Sequence, residues 1–86
     1  MTEVDQNKLN VFIRNKDRDI FSGRADTVTS LNDKGEFDIL PYHANFISLI
    51  NNYIYLNKGT EKEQKTLINK GVLRVKENKV DVFLEI

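Results

Sequence analysis

Apolar and polar residues alternate near both ends of this 86-residue chain, and the alternation strongly limits the folds open to it. A repeat of two residues is typical of a strand with one buried face, whereas an amphipathic helix repeats every 3.6 residues. The apolar residues that share one face in the two terminal segments are Leu9, Val11, Ile13, Val80, Val82, Leu84 and Ile86. Asp81 and Glu85 lie on the opposite face of the last segment. The terminal segments are therefore predicted to be half-buried strands.

The middle of the chain continues this pattern, with short runs rich in β-branched and aromatic residues. Further strands are predicted at 20–21, 25–31, 36–40, 46–50, 53–56, 63–68 and 72–76. Asn and Gly clusters such as 32–35, 51–52, 57–59 and 69–71 carry the chemistry of turns. About eight to ten short strands separated by frequent turns predict an all-β fold, a small two-sheet β-sandwich or flattened barrel.

The chain is short enough to be a single domain. Residues 1–8 are polar and are predicted to be a flexible N-terminal arm, and residues 9–86 are predicted to form the β-sandwich domain. No C-terminal helical hairpin is expected within the 86 residues. No apolar run approaches the roughly 18 residues of a membrane span, and the N-terminus lacks the pattern of a secretory signal. These features predict a soluble intracellular protein.

The charge balance argues against nucleic acid as a partner. Thirteen Lys and Arg residues balance thirteen Asp and Glu residues, so no long-range field would gather a polyanion. The chain has no cysteine, which excludes disulfides and thiolate chemistry. Its glycines are isolated, so no loop is predicted to cradle a phosphate. No small-molecule substrate or cofactor is expected.

The single histidine, His43, and the single proline, Pro41, lie close together between apolar residues. His43 could act as a general base, as a metal ligand, or as part of a rigid bend that presents a surface. No nucleophile motif surrounds Ser48, and no metal-ligand spacing occurs in the chain. A proline fixes φ and removes a ladder donor, so strand 36–40 must stop or turn there. A structural or interface role is thus favoured, and no catalytic or metal-binding residue is predicted.

Phe12 and Phe83 interrupt the alternation, because each lies on the polar side of its strand. If the terminal strands lie close together, the two rings can form one exposed apolar patch for a partner. Alternatively, a neighbouring strand or loop covers them.

The stretch from Gly35 to Asn45, GEFDILPYHAN, resembles a motif of one known family, the β-sandwich domain of the epsilon subunit of rotary F-type ATP synthases, called delta in mitochondria. The family pattern is Gly-Glu-Phe-Gly-x-Leu-Pro-Gly-His-Ala-Pro. The residues that match it are Gly35, Glu36, Phe37, Leu40, Pro41, His43 and Ala44. DIFSG upstream and NKGVLRVKENKVDVFLEI downstream resemble two further family segments, in the same order and with similar spacing.

This resemblance implies a non-catalytic subunit of the central stalk that couples the gamma subunit to the membrane c-ring, so that proton or sodium flow drives ATP synthesis. By position, Glu36 would face the c-ring loops, and His43, beside Pro41 and Tyr42, would lie against gamma. The implied location is the cytoplasmic face of a bacterial inner membrane, peripheral and within the complex, or its organellar equivalent. The helical hairpin that typical bacterial members add would be lost, or would lie outside a fragment.

The chain also departs from the family pattern. Asp38, Tyr42 and Lys70 replace family glycines, and Lys16, Leu31 and Asn45 replace prolines. If position 42 requires a positive φ, tyrosine there is strained by about 1 kcal/mol or more. Such changes leave open an alternative in which the chain is a stand-alone β-sandwich adaptor that has kept the fold but left the synthase.

Overall fold

The computed structural model describes residues 8–85, which form seven β-strands and, within that span, no helix. The strands are β1 Leu9–Arg14, β2 Asp19–Ala25, β3 Val28–Asn32, β4 Gly35–Ile39, β5 Phe46–Leu56, β6 Gln64–Lys76 and β7 Lys79–Glu85. They form one continuous hydrogen-bonded sheet in the order β2-β1-β7-β6-β5-β3-β4. β1 pairs with β7 in parallel, and the other neighbouring pairs are antiparallel. The terminal strands are thus direct neighbours.

This sheet curls over, so that its two halves pack against each other. A single cluster of buried residues includes Ala25 from β2 at one edge of the sheet and Ile39 from β4 at the other edge. The molecule measures 36 × 28 × 27 Å, so even its shortest extent exceeds the roughly 10 Å spacing of two packed layers. The all-β prediction is therefore confirmed, with the two layers formed by one folded sheet.

The inner face carries the residues that the period-two pattern selected. Val11, Val80 and Val75 lie side by side on β1, β7 and β6, and all three are buried. The neighbouring row consists of Ile13, Val82 and Leu73, which are also buried. Burial of this apolar surface is the main stabilising contribution to a domain of this size.

Residues 8–85 form seven strands, fewer than the eight to ten predicted, because two expected turns lie inside long strands. Asn51 and Asn52 form a bulge within β5, where the pairing with β6 shifts register and Asn52 has a φ of 71°. A bulge bends and twists a strand without ending it. Residues 69–71 similarly lie within β6, where Lys70 and Gly71 pair with both β5 and β7. The two long strands consequently contribute to both layers.

Gly71 has a packing role in place of the expected turn role. A Cβ atom at this position would lie 2.9 Å from the backbone oxygen of Phe83 and 2.9 Å from Cδ2 of Leu84. Such contacts are too short for a side chain, so glycine permits the close approach of β6 and β7.

Most of the predicted N-terminal arm, together with Ile86, lies outside the described residues. Lys8, the last residue of that arm, forms an ion pair with Asp26, with Nζ 2.5 Å from Oδ1. This contact joins the start of β1 to the connection between β2 and β3.

Candidate protein-interaction site

A tight turn follows β4 and contains Pro41, Tyr42 and His43. The backbone N–H of His43 donates a hydrogen bond of 3.1 Å to the carbonyl oxygen of Leu40. Proline in the second position and a positive φ in the third are the features of a type II turn. Tyr42 occupies that third position with a φ of 67°. The conformation that glycine normally supplies is thus adopted by a tyrosine.

The side chain of Leu40, the residue before the proline, points outward. Its side chain is 53% exposed, whereas the preceding Ile39 is fully buried. Phe37 and Ile39 share the inner face of β4, so period two directs the next residue to the outside. The turn at Pro41 begins at Leu40, so the side chain of Leu40 stays on the outside.

The turn is attached to the distant β6–β7 hairpin through Asn78. The backbone N–H of Tyr42 donates a hydrogen bond of 2.6 Å to Oδ1 of Asn78. Glu77 and Asn78 both have positive φ values, 51° and 62°, as the two central residues of a type I′ hairpin turn do. The backbone oxygen of Asn78 also accepts a hydrogen bond from the N–H of Asn10 on β1. Asn78 therefore links three parts of the chain.

The ring of His43 is half-buried against this turn. Its centroid lies 5.7 Å from that of Phe46, in an edge-to-face arrangement. Its Nδ1 lies 2.7 Å from the carbonyl oxygen of Ala44, which can only accept, so the proton lies on Nδ1. The hydroxyl of Ser48 donates to the carbonyl oxygen of Leu49. His43 is thus held in a fixed orientation at the surface.

Glu36 lies on β4, at the centre of a polar cluster on an outer face of the sandwich. Nζ of Lys58 lies 2.8 Å and 2.9 Å from its two carboxylate oxygens, and the hydroxyl of Tyr53 donates a hydrogen bond of 2.7 Å to it. The ammonium groups of Lys58 and Lys65 lie over the ring of Tyr55, at 5.0 Å and 5.2 Å from its centroid. The Glu36 carboxylate is already paired within the chain.

The contacts among Glu36, Lys58 and Tyr53 shift the pKa of all three groups. The hydrogen bond from Lys58, followed by that from Tyr53, lowers the pKa of Glu36 below its ordinary value of 4.5. The hydrogen bond to Glu36 raises the pKa of both Lys58 and Tyr53. The charged forms of Glu36 and Lys58 stabilise each other, and the proton of Tyr53 is retained.

A second outer surface is apolar across three neighbouring strands. Leu49 on β5, Val72 on β6 and Phe83 on β7 are in direct register and are 74%, 42% and 51% exposed. Ile47, in the adjacent row of β5, is 69% exposed. We call these four residues the apolar face. A continuous exposed apolar surface of this kind is typical of a partner-binding site.

Phe12 and Phe83 lie on the same side of the sheet but do not form one aromatic pair. Phe12 is in register with Asp81, and Phe83 is in register with Arg14. Phe12 is half-buried, and the ammonium group of Lys79 lies 5.4 Å from its ring centroid. Each ring therefore has a charged neighbour across the β1–β7 pair, Asp81 beside Phe12 and Arg14 beside Phe83.

The exposed patch consists mainly of residues that sequence reasoning did not select. Ile47 and Leu49 belong to the run Phe46–Leu56, in which inward and outward positions are both apolar. Such a run is also typical of a strand buried on both faces, so periodicity alone could not identify the exposed side. The one available signal was that Ile47 and Leu49 are apolar and alternate with Ser48 and Ile50, which lie on the other face of the strand.

No group of three potential metal-ligating side chains occurs among residues 8–85. The same part of the chain contains no helix with the length and apolar character of a membrane span.

Comparison with known proteins gives a family match over nearly the whole chain. Residues 3–86 match the family "ATP synthase, Delta/Epsilon chain, beta-sandwich domain". An ATP synthase epsilon chain of Sulfurimonas denitrificans is 35% identical over 79 residues, which are 91% of this chain and 61% of the relative. One from Wolinella succinogenes is 37% identical over 77% of this chain and 51% of the relative. The chain thus spans about half to three fifths of the length of these relatives.

Solved structures with the same fold are found in mitochondrial assemblies. A chain of the Euglena gracilis mitochondrial ATP synthase superposes with a TM-score of 0.81 at 16% identity, covering 91% of this chain and 51% of that chain. One from Tetrahymena thermophila gives a TM-score of 0.70 at 12% identity, covering 96% and 67%. At these identities the likeness concerns the fold alone. With the family match over residues 3–86, the chain belongs to the delta/epsilon β-sandwich family of ATP synthases.

Proposed function

We propose that this chain is a non-catalytic subunit of the central stalk of a rotary F-type ATP synthase. In this role it couples the gamma subunit to the c-ring and has no part in catalysis. The proposal is supported by the family match and by the epsilon chains among its relatives. The two solved structures are described as an OSCP/F1/c-ring assembly and as a central stalk with c-ring.

The apolar face is the single observation that carries the proposal. Leu49, Val72 and Phe83 form a row across three strands, and Ile47 extends it. A partner that covers these side chains removes apolar surface from water, which contributes a hydrophobic free energy of about 25 cal/mol per Å² buried. We assign this face, together with the His43 turn, to the gamma subunit.

The second partner, the c-ring, is assigned to the side of the sandwich that carries Glu36. The carboxylate is held by Lys58 and Tyr53, and about 41% of its side chain remains exposed. It can accept further hydrogen bonds from polar loops without moving, which limits the entropy lost on docking. The subunit would then lie in a membrane-associated complex, peripheral to the bilayer and, in a bacterium, on its cytoplasmic side.

A binding titration with the gamma subunit from the same genome tests the first contact. Leu49→Asp should weaken binding by about tenfold or more, because it introduces a charge into the buried centre of the interface. Leu67→Asp is the matched control. Leu67 is 77% exposed on β6 and pairs with Tyr53, on the far side of the β5 bulge from Leu49. Equal loss in both variants would argue against a specific apolar interface.

Co-sedimentation of the chain and gamma with detergent-solubilised c-ring tests the second contact. A wild-type chain that is folded, yet binds neither gamma nor c-ring, would contradict the stalk role. That outcome would favour the stand-alone adaptor and would direct the search to another occupant of the apolar face.

A further inference from the structure

A charged cluster interrupts the apolar surface and is not explained by apolar docking. Asp81 of β7 lies between two arginines, with Nη2 of Arg74 at 3.4 Å from Oδ2 and Nη2 of Arg14 at 3.7 Å from Oδ1. Nζ of Lys79 lies 3.9 Å from Oδ2. The Asp81 side chain is only 17% exposed, while the three cationic side chains are 51% to 56% exposed. We call these four residues the Asp81 cluster.

The cluster has more positive than negative charge. Three cations face one carboxylate, which leaves a formal charge of 3 − 1 = +2. A guanidinium has five N–H donors, and among the described residues the only hydrogen bond from either arginine is the 3.4 Å contact from Arg74 to Asp81. Asp81 Oδ1 is buried without a hydrogen-bond partner. The carboxylate therefore contacts one arginine through each of its oxygens and leaves most of the guanidinium donors unused.

The position of the cluster determines what can cover it. Arg14 is in register with Phe83, and Arg74 pairs with Ile47 across β5 and β6. Any partner that covers the apolar face therefore also removes water from the two guanidinium groups. Burying a charge without a counter-charge is costly, so the covering surface must supply an anion.

We propose that the Asp81 cluster binds a carboxylate of the partner, an Asp or Glu side chain that the partner presents to Arg14 and Arg74. The identity of that partner, gamma, rests on the proposed function above. A planar carboxylate fits paired guanidinium donors, which would set the register of the partner on an otherwise apolar surface. The carboxylate thus supplies specificity, and the apolar face supplies contact area.

The test is the affinity of the full chain for gamma at two salt concentrations. Arg14→Gln/Arg74→Gln should weaken binding by about tenfold or more and reduce the salt dependence, because charge complementarity is lost. Lys62→Gln, which removes one positive charge from the turn between β5 and β6, should change affinity less than about twofold.

Asp81→Asn distinguishes anion binding from a merely structural role. If the cluster only maintains the fold, Asp81→Asn and the double arginine variant should weaken binding alike, with parallel losses in thermal stability. If the arginines bind a carboxylate, Asp81→Asn should retain or increase the affinity, because it removes a competing negative charge. Thermal unfolding of each variant identifies any loss that comes from misfolding.

A charge exchange identifies the partner residue. Arg74→Glu should abolish binding, and one acidic residue of gamma, replaced by Lys, should restore it. If wild-type chain binds and Leu49→Asp does not, while the double arginine variant binds normally, this inference fails and the proposed function stands. If the wild-type chain does not bind gamma, the proposed function itself fails.

Discussion

The backbone N–H of Tyr42 donates a 2.6 Å hydrogen bond to the side-chain oxygen of Asn78, 36 residues away in the sequence. Both residues adopt left-handed backbone conformations, with φ values of 67° and 62°. The contact joins the turn after β4 to the β6–β7 hairpin. It thereby fixes the turn that carries His43.

Tyr42 can be tested by substitution, because its positive φ is unfavourable for a residue with a Cβ atom. Tyr42→Gly should be more stable than Tyr42→Ala by about 1 kcal/mol, since both lose the ring but only glycine relieves the backbone. Urea unfolding of the two variants gives the comparison. Equal stabilities would mean that the turn relaxes when the tyrosine is removed.

The contribution of Asn78 to stability is expected to come from its side-chain oxygen. Asn78→Ala should lower the free energy of unfolding by about 1 to 2 kcal/mol, because the N–H of Tyr42 loses its acceptor. Asn78→Asp keeps an acceptor at the same place and should recover much of the loss. If Asn78→Asp is as destabilising as Asn78→Ala, the preference of Asn for the left-handed region is the dominant contribution of this residue to stability.

The adjacent residues Ile39 and Leu40 should respond in opposite ways to truncation. Ile39→Ala should cost about 2 to 5 kcal/mol, because it leaves a cavity in the core. Leu40→Ala should change stability by no more than about 0.5 kcal/mol, since its side chain is 53% exposed. Chemical denaturation measures both. A large loss for Leu40→Ala would mean that its side chain turns inward in solution.

The Glu36 cluster predicts a specific dependence of stability on pH. Lys58 and Tyr53 hold the pKa of Glu36 below 4.5, so the stabilisation is complete above the unfolded-state pKa and is lost as pH falls through the folded-state pKa. The stability difference between wild type and Glu36→Gln should therefore disappear in strong acid. At the alkaline end, the contribution of Lys58 is lost as pH rises through its raised pKa.

Melting temperatures of wild type and Glu36→Gln, measured from neutral to strongly acidic pH, follow this difference. Glu61→Gln, in the turn between β5 and β6, is the control. If the difference in melting temperature between wild type and Glu36→Gln stays constant down to strong acid, the carboxylate does not stabilise the fold through its charge.

His43→Ala should leave the fold intact and weaken binding to gamma. The ring packs on Phe46 at the surface, and His43 is not one of the buried core residues. Circular dichroism and a binding titration measure the two effects. Unchanged affinity would remove His43 from the interface and leave the apolar face as the assigned contact.

Local sequence patterns were sufficient for the fold class and for much of the core. The alternation at Leu9, Val11 and Ile13, and again at Val80, Val82 and Leu84, correctly identified buried faces. Such patterns are informative because a strand directs successive side chains to opposite sides, whatever lies beside it. The bend at Pro41 was predictable for the same reason, since its cause lies within the residue.

Only the tertiary structure decided which strands merge and which apolar residues stay exposed. Asn51–Asn52 forms a bulge, and Gly71 allows close packing, because their neighbouring strands pair across them. The outward exposure of Leu49 depends likewise on which face of β5 meets the core. These outcomes arise from contacts between residues far apart in the chain, and a local pattern of apolar and turn residues is compatible with more than one of them.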